Sequence, residues 1–211
     1  MSVITLPAQP SVSVRAERFR LLRSEAATET LSGIGQITTY PDRRWAMQIN
    51  VIPQRGANLR LWALAAFQLS TLSNVFAYGP PHYSAPGTGY AGSNPLVSGA
   101  DQLGLSLVVD GLPNSTPILS VGDFCSFDTV STQGNTNRQL NMVTMAVNSD
   151  GGGVATLNLL LPIRQAPADD ATVNILTPTA FFRSAKPEQL VDLDVDEYSP
   201  FTFDVVERIF P

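Results

Sequence analysis

Apolar and polar residues alternate along this chain in short runs, and two of the runs define strands without help from context. In RRWAMQINVIP, Trp45, Met47, Ile49 and Val51 fall on one face, while Arg44, Ala46, Gln48 and Asn50 fall on the other. Spacing of period two marks a strand half-buried against a core, here ended by Pro53 and Gly56. Near the end, PFTFDVVERI sets Phe201, Phe203, Val205, Glu207 and Ile209 in one register. A single segment follows the helical period instead. From about Asn58 to Leu72, residues Leu59, Trp62, Ala63, Ala66, Phe67 and Ser70 recur at three- and four-residue steps, with Asn58 as the expected N-cap. Leu61, Leu64 and Leu69 widen that stripe, which predicts a helix covered on more than one side. VFAYGPP then predicts a short strand stopped by its double proline.

From Gly79 to Gly99, Gly, Pro, Ser and Tyr crowd into an irregular connection, and the texture changes after it. Short strands are expected at 105–109, 118–127, 139–147, 154–161 and 172–176. The stretch from Asn148 to Gly153 (NSDGGG) predicts a hairpin turn, because Asp-Gly and Gly-Gly accept positive φ. The expected fold is mostly β. Residues 1–90 make a β part with one helix near 58–72, completed by a C-terminal strand within 186–211. Residues 91–185 make a small antiparallel β-barrel or sandwich inserted between the two.

Composition narrows the function. Charged residues make up only 15% of the 211, against roughly 25% in an average globular protein, and a low-charge surface suits a subunit covered by neighbours. The net charge of −5 and a pI near 4.7 argue against specific nucleic-acid binding, which needs a surplus of Lys and Arg. An acidic wall would still let DNA slide through a lumen. The lone Cys125 rules out an intrachain disulfide and a thiolate zinc cage. MSVITLPAQP has no basic region leading into an apolar stretch, so no signal peptide is expected, nor any membrane insertion.

Candidate chemistry is sparse. His82, the one histidine, would have to serve alone as the base of any hydrolase triad. Gly87 to Gly92 spells G-x-G-x-x-G, but prolines precede it and no amphipathic helix follows, so the dinucleotide context is missing. Asp192, Asp194 and Asp196 start like a calcium loop yet lack Gly at the sixth position and Glu at the twelfth. Cys125 has no basic neighbour to activate it. Asp169 and Asp170 sit together in a PADDA turn. No catalytic, cofactor-binding or metal-binding residue is assigned, and no cofactor is expected. Tyr83 and Tyr90, in the Gly/Pro-rich connection, are the candidate ligand contacts, since sugars stack on exposed aromatics. Phe127 lies near the same loops.

Three collinear blocks carry a resemblance. The first is RRWAMQINVIP followed by LWALAAFQLSTLSNVFAYGPP, through Trp45, Asn74, Phe76, Gly79 and Pro80. The second is GSNPLVSGADQLGLSLVVDGLPNSTPILSVGDF, through Gly99, Gln102, Gly104, Asp110, Gly111 and Asp123. The third is NSDGGGVATLNLLLPIRQAPADDATVNILTPTAFFR, through Asp150, Gly153, Pro162, Arg164, Asp169 and Arg183. Together these resemble distal tail proteins of long-tailed, siphovirus-like phages, over about Trp45 to Arg183. Asp170 departs from that pattern, which has Gly there, and residues 129–138 are unusually rich in Ser, Thr, Gln and Asn. The resemblance implies a virion structural protein at the tail tip, made in the host cytoplasm. It implies a homo-oligomeric ring, commonly hexameric, in which residues 1–90 with the C-terminal strand form a ring-forming β-sandwich with one helix and residues 91–185 a peripheral small β-barrel. That ring joins the tail tube protein to the hub proteins of the baseplate and often carries the receptor-binding or side-fibre proteins of host attachment. A carbohydrate-binding β-module for host-surface attachment is the alternative expectation.

Overall fold

The computed structural model describes residues 2–6, 14–22, 25–29, 35–39, 43–71, 73–131, 133–185 and 199–209. It is mostly β with one helix, and its sheets are largely antiparallel. Strands β1 (Ser2–Val3), β2 (Val14–Leu22), β3 (Glu25–Glu29), β4 (Gly35–Thr39) and β5 (Arg44–Gln54) precede helix α1 (Gly56–Leu69) and β6 (Asn74–Tyr78). Short strands follow: β7 (Leu96–Val97), β8 (Gly104–Asp110), β9 (Pro117–Leu119), β10 (Phe124–Val130) and β11 (Thr136–Met142). Then come β12 (Val147–Asn148), β13 (Ala155–Ile163) and β14 (Val173–Asn174), before β15 (Ala180–Ser184) and β16 (Ser199–Glu207).

The large sheet runs β1-β6-β15-β16-β5-β2, so the C-terminal strand lies beside β5 rather than at an edge. Register follows the alternation in the sequence: Phe203 faces Ile49, Val205 faces Met47, and Phe19 faces Met47 from the other side. β15 also belongs to this sheet, paired with β6 and β16, so the chain returns to it by Ala180. The first core lies on the inner face. Trp45, Met47, Ile49, Phe76, Phe182 and Phe203 pack there under Trp62, Ala66 and Leu69 of α1 and under Leu140 and Leu161 of the following unit.

α1 departs from expectation at its start. It begins at Gly56, and Arg55 takes the N-cap position with extended backbone and no side-chain cap bond, leaving Asn58 inside the first turn. Gly56 sits at φ +59, a left-handed conformation that lets the chain turn straight from β5 into the helix. The helix is also covered on one side only. Trp62, Ala63, Ala65, Ala66 and Leu69 are buried, whereas Leu61, Leu64 and Phe67 are 51%, 54% and 58% exposed.

Between β7 and β14 the strands close on themselves. β14 pairs with β10, β10 with β11, β13 with β8 and β8 with β7. Two isolated bridges, Val143 to Leu159 and Leu96 to Thr172, join the remaining edges, so the pairing runs round a full circle. Leu107, Val109, Ile118, Phe127, Leu157 and Val173 fill the interior as a second core. The turn at 148–153 closes as expected, with the Asp150 N–H donating to the Val154 carbonyl (2.8 Å) and the Gly153 N–H to the Asp150 carbonyl (3.2 Å), but its flanking strands pair elsewhere, β12 with β9 and β13 with β8. Asp150 explains the reversal: its Oδ1 accepts the N–H groups of Gly152 (2.8 Å) and Val154 (2.9 Å). Those bonds hold its carboxyl below the usual range. Gly153, at φ +76, passes so close that an added Cβ would stand 2.2 Å from the Leu112 carbonyl oxygen.

Candidate functional site

The residues named from the sequence are dispersed, and most are engaged in holding the fold. Tyr90 is 8% exposed, its ring in the barrel core and its hydroxyl donating to the Ser93 carbonyl at 2.9 Å. Tyr83 is half-buried against the edge of Phe124, and its hydroxyl donates to the carbonyls of Ile175 (3.0 Å) and Phe124 (3.4 Å). Burial, then the nearby Asp123 and Cys125, pushes that phenol well above its ordinary pKa. Phe127 is fully buried. Tyr90 and Phe127 thus present no open ring face, and a sugar-stacking platform gains nothing from them.

His82 is exposed in a turn at φ 60. In the Gly87–Gly92 stretch no helix follows; the Gly87 N–H donates instead to both carboxylate oxygens of Asp123, at 2.9 and 3.1 Å. The same carboxylate accepts the Ser120 N–H at 2.7 Å, so the glycine-rich loop is pinned to the turn before β10. Cys125 is buried, and burial pushes its thiol up to about 12, far from thiolate chemistry at neutral pH. Asp192, Asp194 and Asp196 lie outside the described residues. Among the described residues no group of three or more His, Cys, Asp or Glu could hold a metal ion. Nor is any helix there long and apolar enough to cross a membrane.

Two features that the sequence did not single out are better defined. The first is the junction of the two cores. Glu207, 1% exposed at the end of β16, accepts the N–H of Trp45 from β5 (3.1 Å) and the N–H of Leu140 from β11 (3.4 Å). Trp45 completes the link by donating its indole N–H to the Leu140 carbonyl at 2.9 Å. Phe19 stacks on the Trp45 indole at 4.7 Å and Phe124 meets its edge at 5.8 Å. Burial raises the Glu207 carboxyl to about 7, against the opposing pull of Arg164, the two N–H donors and Arg44.

The second feature is the outer face of the large sheet. Glu207, Val205 and Phe203 point inward, so Arg208, Val206 and Asp204 point outward. Cross-strand partners share a face, which places Arg183 opposite Val206 and Arg20 opposite Ala46, itself opposite Val206. Arg18 and Gln48 share the row of Asp204, and Arg44 stands opposite Leu22. Four guanidiniums from three strands, joined by Arg208 just past the end of β16, thus share one face with a single described carboxylate, Asp204, which accepts a bond from Gln48 at 2.9 Å.

A cleft lined by Asn94, Ser126, Asp128, Arg138 and Asn174 lies where the barrel meets β15. Its polar groups are already committed. Arg138 forks onto Asp128 at 2.7 and 2.8 Å above the Phe181 ring, and Asn174 closes a turn on Thr177. A scan against protein-family models and a search of curated proteins each return no match for this chain.

Proposed function

We propose that this chain is a non-catalytic structural subunit of an oligomeric ring at the distal end of a phage tail. In that role it joins the tail tube to the hub and host-recognition proteins. The family assignment is supported by the three collinear blocks between Trp45 and Arg183. The observation that carries the subunit role is the bare flank of α1. Leu61, Leu64 and Phe67 each leave more than half of their surface in water, on the only helix among the described residues. An apolar flank of this kind marks an association surface, since burying it against a neighbour removes it from water. Leu103, Leu105, Val121 and Met145 add exposed apolar surface on the barrel, which gives a ring subunit a second place to meet tail proteins.

Sedimentation and negative-stain imaging of the purified chain test this. Closed rings, with six copies the leading expectation, or a stable complex with tube and hub proteins support the reading. A monomer at every concentration that is also missing from mature particles overturns it. Leu64→Ser with Phe67→Ser is expected to weaken assembly while leaving the fold intact, because both side chains are already largely solvated in the single chain.

A further inference from the structure

We propose that the outer face of the large sheet docks the acidic end of the barrel of a second copy, so that copies join head to tail. Resting on the ring reading, this contact specifies which two surfaces meet.

The basic half is the face carrying Arg18, Arg20, Arg44, Arg183 and Arg208. Three of these crowd one end. Burial first, and then the charges of Arg183 and Arg44, hold Arg208 below its ordinary pKa. Arg208 is anchored there by its N–H, which donates to the Phe181 carbonyl at 2.7 Å. Arg183 is partly exposed on this face, and its Nε finds no hydrogen-bond partner within the chain. A guanidinium reached from outside the sheet pairs best with a carboxylate, which matches its fork.

The acidic half is on the same chain. Residues 91–179 hold seven aspartates against two arginines, Arg138 and Arg164. Of these aspartates, Asp101, Asp169 and Asp170 are exposed around one contact between loops. The Asp169 carboxylate accepts the Gly99 N–H at 2.7 Å, and the Asp170 N–H donates to the Val97 carbonyl at 3.0 Å. Unlike surfaces meeting in this way form a heterologous interface, which closes into a ring when the rotation fits. Two basic faces repel each other, which disfavours a two-fold dimer through this sheet. An acidic chain with an acidic barrel also repels the phosphate backbone, so duplex DNA is the poorer occupant of the basic face.

The experiment uses the full chain in sedimentation at low and high salt, with circular dichroism to confirm folding. Arg183→Glu with Arg208→Glu, and separately Asp169→Arg with Asp170→Arg, should each raise the concentration for half-assembly by roughly tenfold or more. Mixing the two reversed proteins should restore assembly, since each then offers the charge that the other lacks. The neutral pair Arg183→Gln and Arg208→Gln should fall between, and it keeps the test open if a reversed variant does not fold. Assembly that ignores every reversal overturns the contact while leaving the ring reading standing. A wild-type chain that never assembles, alone or with tail partners, overturns both. A folded monomer that retains duplex DNA through these arginines assigns the face to nucleic acid and overturns the contact.

Discussion

In the large sheet, β5 is flanked on both sides by long backbone ladders, with β16 from Val51 to Ala46 and with β2 from Val51 to Arg44. Its polar side chains are left to the outer face. The barrel is built otherwise. β13 pairs with β8 over Ala155–Asn158, loses register before Ile163, and meets the β11 edge by the single bridge at Leu159. Beyond that bridge, side-chain amides take over from the backbone. Asn141 accepts the Leu161 N–H (2.9 Å) and donates to the Leu161 carbonyl (2.7 Å); Gln139 accepts the Arg164 N–H (3.0 Å) and donates to the Gln165 carbonyl (3.0 Å). Both amides are buried, 2% and 4% exposed. A strand that cannot keep its ladder still has to satisfy its buried N–H and C=O groups, and the polar run in β11 does so. Two β regions of one chain therefore place their polar residues by opposite logic, outside the sheet and inside the barrel.

The largest test of this contrast is a pair of truncations. Asn141→Ala strips two acceptor bonds, to Leu161 and Met142, and one donor bond from buried groups. It should cost roughly 3–5 kcal/mol, because each orphaned group loses water without regaining a partner. Gln48→Ala removes one bond to Asp204 on the outer face of the sheet and should cost about 0.5 kcal/mol or less. Urea titration of the two variants, with equal slopes, would measure the difference. Equal costs would mean that the barrel amides are incidental.

The junction sharpens the comparison, because there a buried carboxyl serves both regions at once. The Glu207 carboxyl titrates near 7 when folded, against an ordinary value of 4.5 for a glutamate in water, so the folded state holds its proton more tightly. With the folded pKa raised, its contribution to stability is complete below about 4.5 and is lost as pH rises through about 7. The span amounts to roughly 3 kcal/mol at most. Glu207→Gln removes the titration, so the stability gap between wild type and variant should change across this window. A gap that stays flat from about pH 5 to about pH 8 would show that the carboxylate does not titrate there.

Local pattern accounts for part of this structure. Alternation places β5 and β16, and it sets Glu207 on the same face as Phe203 and Val205, which is where the carboxylate lies. What alternation cannot supply is a partner: the Leu140 N–H comes from 67 residues away, across a strand order that no period encodes. The outer arginines are hidden for the same reason. Arg18 and Arg20 stand far along the chain from Arg183 and Arg208, and only the pairing of β5 with β2 and β16, and of β16 with β15, brings the four to one face. The turn at 148–153 shows the converse, a local reading that holds while its surroundings do not follow from it. Asp-Gly-Gly-Gly does mark a reversal, but strand pairing on either side is decided by the barrel core. The helix start escapes the pattern because Asn58 is a good cap by type, while positive φ at Gly56 lets the helix begin with its cap at Arg55, three residues earlier.

The smallest expected effect separates fold from assembly. Asp170 adopts φ 61, in the left-handed region where glycine is the unstrained residue. Asp tolerates that conformation better than most residues but still carries a Cβ, so glycine there relieves strain while adding chain entropy to the unfolded state. Asp170→Gly should therefore leave the unfolding free energy unchanged or raise it, within about 1 kcal/mol. The Asp170 N–H bond to the Val97 carbonyl belongs to the backbone and survives the change. If carboxylates at this end of the barrel meet the arginines of the next copy, the same substitution should weaken assembly and reduce its salt dependence. A protomer as stable as wild type that assembles less well would mean that charge is kept at this position for contact. A variant improved in both respects would mean that Asp170 serves neither purpose, and would shift the acidic contact to Asp101 and Asp169.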